Sequence, residues 1–165
     1  MIGQHAPTSD VERLVQRIAR LEERVADLQR SLVPLRPFTP VLSAVTTDPS
    51  LGSLGSVGGD YTVEGGRCRW AATIVFDGSG VSAGSGAYRV LLPVAPKASI
   101  TFRHVGSGWW YLPTPTPRFQ QVELDASPGG VWARMICEAG EVTHAVPAAP
   151  SATAVLSVGG EYPIA

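Results

Sequence analysis

Gly80-Val81-Ser82-Ala83-Gly84 matches G-x-S-x-G, the pattern that in serine hydrolases bends a strand sharply into a helix and exposes a nucleophilic serine. Its surroundings do not suit that role. Gly and Ser flank both sides, and the next pattern downstream is a strand rather than a helix. His104 and His144 are the histidines considered as a base, but no acidic residue stands near either at a recognisable spacing. The match is therefore read as accidental, and no catalytic residue is assigned. Asp77-Gly78-Ser79-Gly80 begins like a calcium loop but lacks the alternating acidic ligands and terminal Glu, which leaves a turn. Asp48, Asp60, Glu64, Asp77, Glu123, Asp125, Glu138, Glu141 and Glu161 are scattered, and sequence alone does not show whether any two approach to the separation a glycosidase needs.

Cys68 and Cys137 lie far apart in strand-like segments without a CxxC or histidine spacing, so they read as buried thiols rather than zinc ligands. Whether they pair stays open. Neither a metal nor a cofactor is expected. Trp109, Trp110 and Tyr111 remain as the candidate ligand-binding residues, since planar aromatics stack on sugar rings and carry polar edges. The competing reading is structural, because aromatics in a small β domain more often pack the core or a subunit interface. Trp70 and Trp132 fall within strand-like runs and lean towards structure.

These residues need a scaffold, and 165 residues allow about one domain plus an appendage. A net charge of −1 offers no basic field for nucleic acid and no polybasic patch for lipid. No run of about 18 apolar residues exists, and Met1 to Thr8 lacks the features of a secretory signal, so a soluble chain made in the cytoplasm is expected. Lys97 is the only lysine and Asn is absent, a usage associated with high-GC genomes. Eighteen Gly and fourteen Pro, with many Ser, Thr and Val after residue 36, point to an all-β body. Its strands are expected at 40–47, 61–64, 67–76, 87–92, 98–105, 118–124, 131–138 and 154–158. Gly65-Gly66 supplies a two-residue hairpin loop, and Cys68, Trp70, Ala72, Ile74 and Phe76 alternate onto a core face opposite Arg67, Arg69 and Thr73. Ile100 and Phe102 should point inward, and Trp109 to Tyr111 read as an edge or a loop before Pro113, Pro115 and Pro117. The strand count suits an antiparallel β-sandwich or jelly roll.

The appendage is a helix. Val11, Leu14, Ile18, Leu21, Val25, Leu28, Leu32 and Leu35 recur at alternating spacings of 3 and 4. A seam with a period of about 3.5 is too narrow to cover a globular core but fits against copies of itself. Ser9 and Glu12 form a capping box, and Pro34, Pro37 and Pro40 stop the helix, leaving a Pro-rich neck. Arg17-Ile18-Ala19-Arg20-Leu21-Glu22 resembles the trimerisation signature of short parallel coiled coils, in which Arg17 covers the seam and pairs with Glu22 of a neighbour. Val11, Ile18 and Val25 at one seam position with leucines at the other also suit dimers, and the flanking Arg17 and Glu22 tip the balance to a homotrimer. The expected division is an attachment segment at 1–10, a coiled-coil helix at 11–35, a neck with the first strand at 36–59 and a head domain at 60–165.

Phe38-Thr39-Pro40-Val41, Asp48-Pro49-Ser50-Leu51-Gly52 and the run Gly59 to Cys68 resemble the opening of a module of bacteriophage tail-fibre and minor tail proteins. Gly84-Ser85-Gly86-Ala87-Tyr88-Arg89-Val90-Leu91-Leu92-Pro93 looks like its "GSGxYxxxLP" strand, and Val155 to Ala165 is similar to its terminal strand with a Gly-x-Tyr turn. The resemblance spans nearly all of 38–165 and carries weight through the joint order of its pieces. It implies a trimeric β-sandwich on a virion appendage that recognises polysaccharide or another host-surface structure, with no catalytic motif to transfer. The implied partners are other copies of the chain, virion proteins of the tail or capsid, and host glycan. With so short a coil and no shaft repeats, the chain is expected to be a short knob. The alternative is a capsid decoration or head-fibre protein, and a cell-wall glycan depolymerase comes third.

Overall fold

The computed structural model describes residues 10–31, 34–99, 104–113, 118–127, 130–143, 145 and 149–165. The chain divides into two units, Met1–Pro34 and Leu35–Ala165. In the first, α1 runs Asp10–Ser31, with Asp10 and Glu12 in the opening turn where carboxylates favour the helix dipole. Pro34 and Leu35 are not helical, so Leu35 leaves the seam: proline has no amide to donate and clashes with the preceding turn. Leu14, Ile18, Leu21 and Val25 are between 48% and 61% exposed within a single chain. The expected cap at Ser9, the seam residue Leu32 and the side chains of Val11 and Leu28 lie outside the described residues. Among the described residues, no helix is long and apolar enough to cross a membrane.

The second unit holds β1 (Arg36–Phe38), β2 (Leu42–Ala44), β3 (Ser56–Glu64), β4 (Arg67–Val75), β5 (Tyr88–Leu91), β6 (His104–Leu112), β7 (Arg118–Ala126), β8 (Trp132–Cys137), β9 (Gly140–Glu141) and β10 (Val155–Pro163). All pair antiparallel in one sheet of order β1-β3-β4-β10-β6-β7-β8-β5-β2, with β9 on β8. Hydrogen bonds thus link into one curled sheet, a half-barrel, the strands expected to form a sandwich. The curl follows from the chain around Pro40. β1 and β2 lie at opposite edges of the sheet, yet only residues 39–41 separate them. Four Cα steps from Phe38 to Leu42 reach at most about 15 Å, so the two edges must come together. Pro40 is buried at this crossing, and Leu91 N–H donates to Val41 O at 2.9 Å to hold its far side. The segment 36–59, expected as neck and first strand, therefore carries β1, β2 and the start of β3 and belongs to the domain itself.

The β3–β4 hairpin forms as its sequence predicts. Gly65 and Gly66 take φ of +54° and +72°, the left-handed pair that a tight hairpin needs. Along β4, Cys68, Trp70, Ala72 and Ile74 point inward with Phe76 just beyond, while Arg67, Arg69 and Thr73 point out. Among the described residues, Trp110, Tyr88, Tyr162 and Phe76 are the largest fully buried side chains. Burial of Phe76, Ile74, Leu112, Leu124 and Leu156 contributes about 1.5–3 kcal/mol each. Cys68 and Cys137 are both buried free thiols.

The later strands depart from expectation. Ala98 and Ser99 form a turn rather than opening a strand, and Ile100 and Phe102 lie outside the described residues. The strand is β6, which starts at His104 and carries Trp109 to Tyr111 through the sheet interior between β10 and β7, not along an edge or loop. Gly106 and Gly108 disguise it in the sequence. A Cβ on Gly106 would lie 2.6 Å from Gly159 O and one on Gly108 2.0 Å from Ser157 O, so β6 and β10 approach too closely for side chains there. Gly160-Glu161-Tyr162, expected as a turn, is extended within β10, and Tyr162 Oη donates to Val94 O at 2.7 Å.

Candidate functional site

Alternation along β6 splits the expected aromatic triplet between two faces. Trp110 turns inward and is fully buried, 6.5 Å from the ring of Phe76 and 5.5 Å from that of Tyr88, centroid to centroid. Its placement is a correction: Trp110 is a core residue with no surface exposed on the outer face. Trp109 and Tyr111 turn outward. Tyr111 pairs with Val155 of β10 on one side and Phe119 of β7 on the other, and Trp109 pairs with Ser157 and Gln121. The Tyr111 and Phe119 rings lie 5.0 Å apart at a tilt of 38°. Trp109, Tyr111, Phe119, Val155 and Ser157 line a shallow depression of about 510 Å³ on the outer face. Sequence reasoning missed Phe119. Its signal was present, because reading 113–117 as a hairpin connection places Phe119 opposite Tyr111.

Polar groups stand beside the rings. Gln121 Nε2 donates to Glu123 Oε1 at 3.2 Å, and His104 Nδ1 lies 3.2 Å from Glu123 Oε2. The sheet thus gives His104 an acidic neighbour that linear spacing did not show, although both side chains are about half exposed. Ser157 Oγ lies 3.5 Å from Thr73 Oγ1 on the next strand.

No family model, curated protein or solved structure matches this chain. Its site must be read from geometry.

The G-x-S-x-G segment has the geometry of a loop. Ser82 exchanges backbone hydrogen bonds with Ser50 at 3.0 and 3.1 Å, and the next element is β5, so the strand-to-helix bend of a nucleophile elbow is not formed. Gly84 serves the turn, with φ of +63° and no room for a Cβ, which would sit 2.2 Å from Thr47 O. Asp77 Oδ1 accepts from Gly78 N–H at 2.7 Å, the local turn expected there. His144 lies outside the described residues. Among the described residues, no group of three or more His, Cys, Asp or Glu is placed to hold a metal ion.

Two charged clusters elsewhere on the domain are tied up internally. Arg69 and Arg67 both donate to Glu161, in that order the main causes holding its carboxyl below the usual range. Asp48 Oδ1 accepts from Ala44 N–H at 2.9 Å and Ser43 Oγ at 2.8 Å, which lowers its pKa. Arg89 Nε in turn donates to Ser43 Oγ at 3.3 Å and its guanidinium lies 4.5 Å from the centroid of the Trp132 ring, so Trp132 acts in structure. Trp70 does too, donating Nε1–H to Val105 O at 3.0 Å.

Proposed function

We propose that this chain is a trimeric tail fibre or minor tail protein of a bacteriophage virion, in which a parallel coiled coil carries β knobs that attach to the host surface. The observation that best supports this reading is where the exposed aromatic corner lies relative to the chain's entry into the domain. Leu35 leads into Arg36, which stands in a row with Tyr61, Trp70 and Gly160 across β1, β3, β4 and β10. The corner stands at Val155, Tyr111 and Phe119, five strand residues or about 17 Å away along β10. The chain thus enters three residues short of the Pro163 end of β10 and the aromatic surface lies at its Val155 end, a separation that suits a stalked attachment protein.

The exposed seam of Leu14, Ile18, Leu21 and Val25 supports self-association. Parallel packing brings Arg17 to Glu22 of a neighbour, whereas antiparallel packing would set Arg17 against Arg24. Three linked knobs turn weak contacts with a repetitive surface into strong adhesion. Purified protein should therefore slow adsorption of the phage to its host cells, and a Leu21→Asp monomer should compete at least about tenfold less well. Unchanged adsorption at saturating protein, with antibody labelling over the capsid, would replace this reading with capsid decoration.

A further inference from the structure

We propose that the aromatic corner binds neutral carbohydrate, with adjoining sugar rings resting on Trp109 and on the Tyr111–Phe119 pair. The assignment builds on the attachment reading and names its ligand. Trp109 and Tyr111, two residues apart on one face of β6, are separated by about 7 Å along the strand, and Phe119 extends the surface sideways from Tyr111. Sugars present C–H faces that pack on aromatic rings and hydroxyl edges that need hydrogen bonds. The rim meets both needs. Ser157 offers a hydroxyl, and the Gln121 amide, with one N–H given to Glu123, keeps its carbonyl oxygen and second N–H for ligand hydroxyls. The depression of about 510 Å³ lies in the range of small-ligand sites, roughly 300–1,000 Å³.

Charge and area select this occupant. Among the described side chains lining the depression none is cationic, so nothing in it pairs with a polyanion such as a phosphate- or uronate-rich polymer. A second copy of the chain needs more surface. Trp109 is 54% and Phe119 71% exposed, leaving on the order of 300 Å² of ring surface, against the roughly 800 Å² per partner of a lasting protein interface.

The test titrates the full chain with maltopentaose, chitopentaose and mannopentaose, and with oligogalacturonate as the anionic counterpart, by calorimetry and tryptophan fluorescence up to roughly 10 mM. At least one neutral probe should bind, and Trp109→Ala and Tyr111→Ala should each weaken it about tenfold or more without moving Tm. Absence of binding by all three neutral probes, binding that survives Trp109→Ala, or tighter binding of oligogalacturonate overturns the site. A fall in sedimenting mass on Trp109→Ala also overturns it, in favour of a second copy as occupant. Host-cell adsorption separates the two claims. Equal competition by wild type and Trp109→Ala removes the site and leaves attachment standing, whereas sugar binding without competition removes attachment.

Discussion

Tyr111 on β6 and Phe119 on β7 face each other on the outside of the sheet, their ring centroids 5.0 Å apart, while Trp110, the residue before Tyr111 on β6, is buried on the inside. One strand thus supplies both the core and the exposed aromatic surface, and substitutions at neighbouring positions should have opposite consequences.

Trp110→Ala removes a fully buried indole packed on Phe76 and Tyr88, and should cost about 3–5 kcal/mol. Trp109→Ala, on the exposed face, should change stability by less than about 1 kcal/mol. Urea denaturation followed by circular dichroism measures both; equal losses would contradict the alternation assigned to β6.

Glycine positions give a second pair. Gly108→Ala places a Cβ 2.0 Å from Ser157 O and should destabilise by about 1–3 kcal/mol as β6 and β10 are pushed apart. Gly58→Ala meets nothing within 4 Å and should be neutral or stabilise by up to about 1 kcal/mol. Melting temperatures of the two variants decide the matter, and similar shifts would show that the strand separation is misplaced.

How much of this could be read from the chain depended on whether the cause was local. The Cys68 to Phe76 alternation and the Gly65-Gly66 turn were plain because each follows from the residues' own geometry. β6 was hidden, since Gly106 and Gly108 look like strand breakers until β10 is seen pressing against them. The aromatic site was half visible: Trp109 and Tyr111 could be nominated, but separating Trp110 needed the strand, and adding Phe119 needed the β6–β7 register. The single curled sheet was also beyond linear reading, because it rests on pairings between strands far apart in sequence, such as β10 with β4 and β8 with β5.

Acid should weaken the fold through Asp48 and Glu161. Both carboxyls are held below their usual range, Asp48 by Ala44 N–H and then Ser43, Glu161 by Arg69 and then Arg67. A lowered folded-state pKa means stability that is present above the unfolded value and is lost as pH falls through the folded one. Melting temperature should therefore fall below roughly pH 4, and Asp48→Asn should flatten that fall. An unaltered pH profile in Asp48→Asn would show that the Ser43–Ala44 contacts do not hold the charged form.

The helix seam predicts oligomeric state. Sedimentation equilibrium should give three times the 17.4 kDa chain mass for wild type and a single chain mass for Leu21→Asp. The strand signal in circular dichroism should survive the substitution, since Leu35–Ala165 forms its own compact unit. A wild-type monomer would contradict the coil.

Electron cryo-microscopy of the intact phage particle reads the position and the symmetry of this protein together. Threefold density is expected at the tail, a short stalk leading to three β domains whose Trp109 and Phe119 surfaces point away from the virion. Density for this chain on the capsid, or a particle that lacks it, would contradict the assignment.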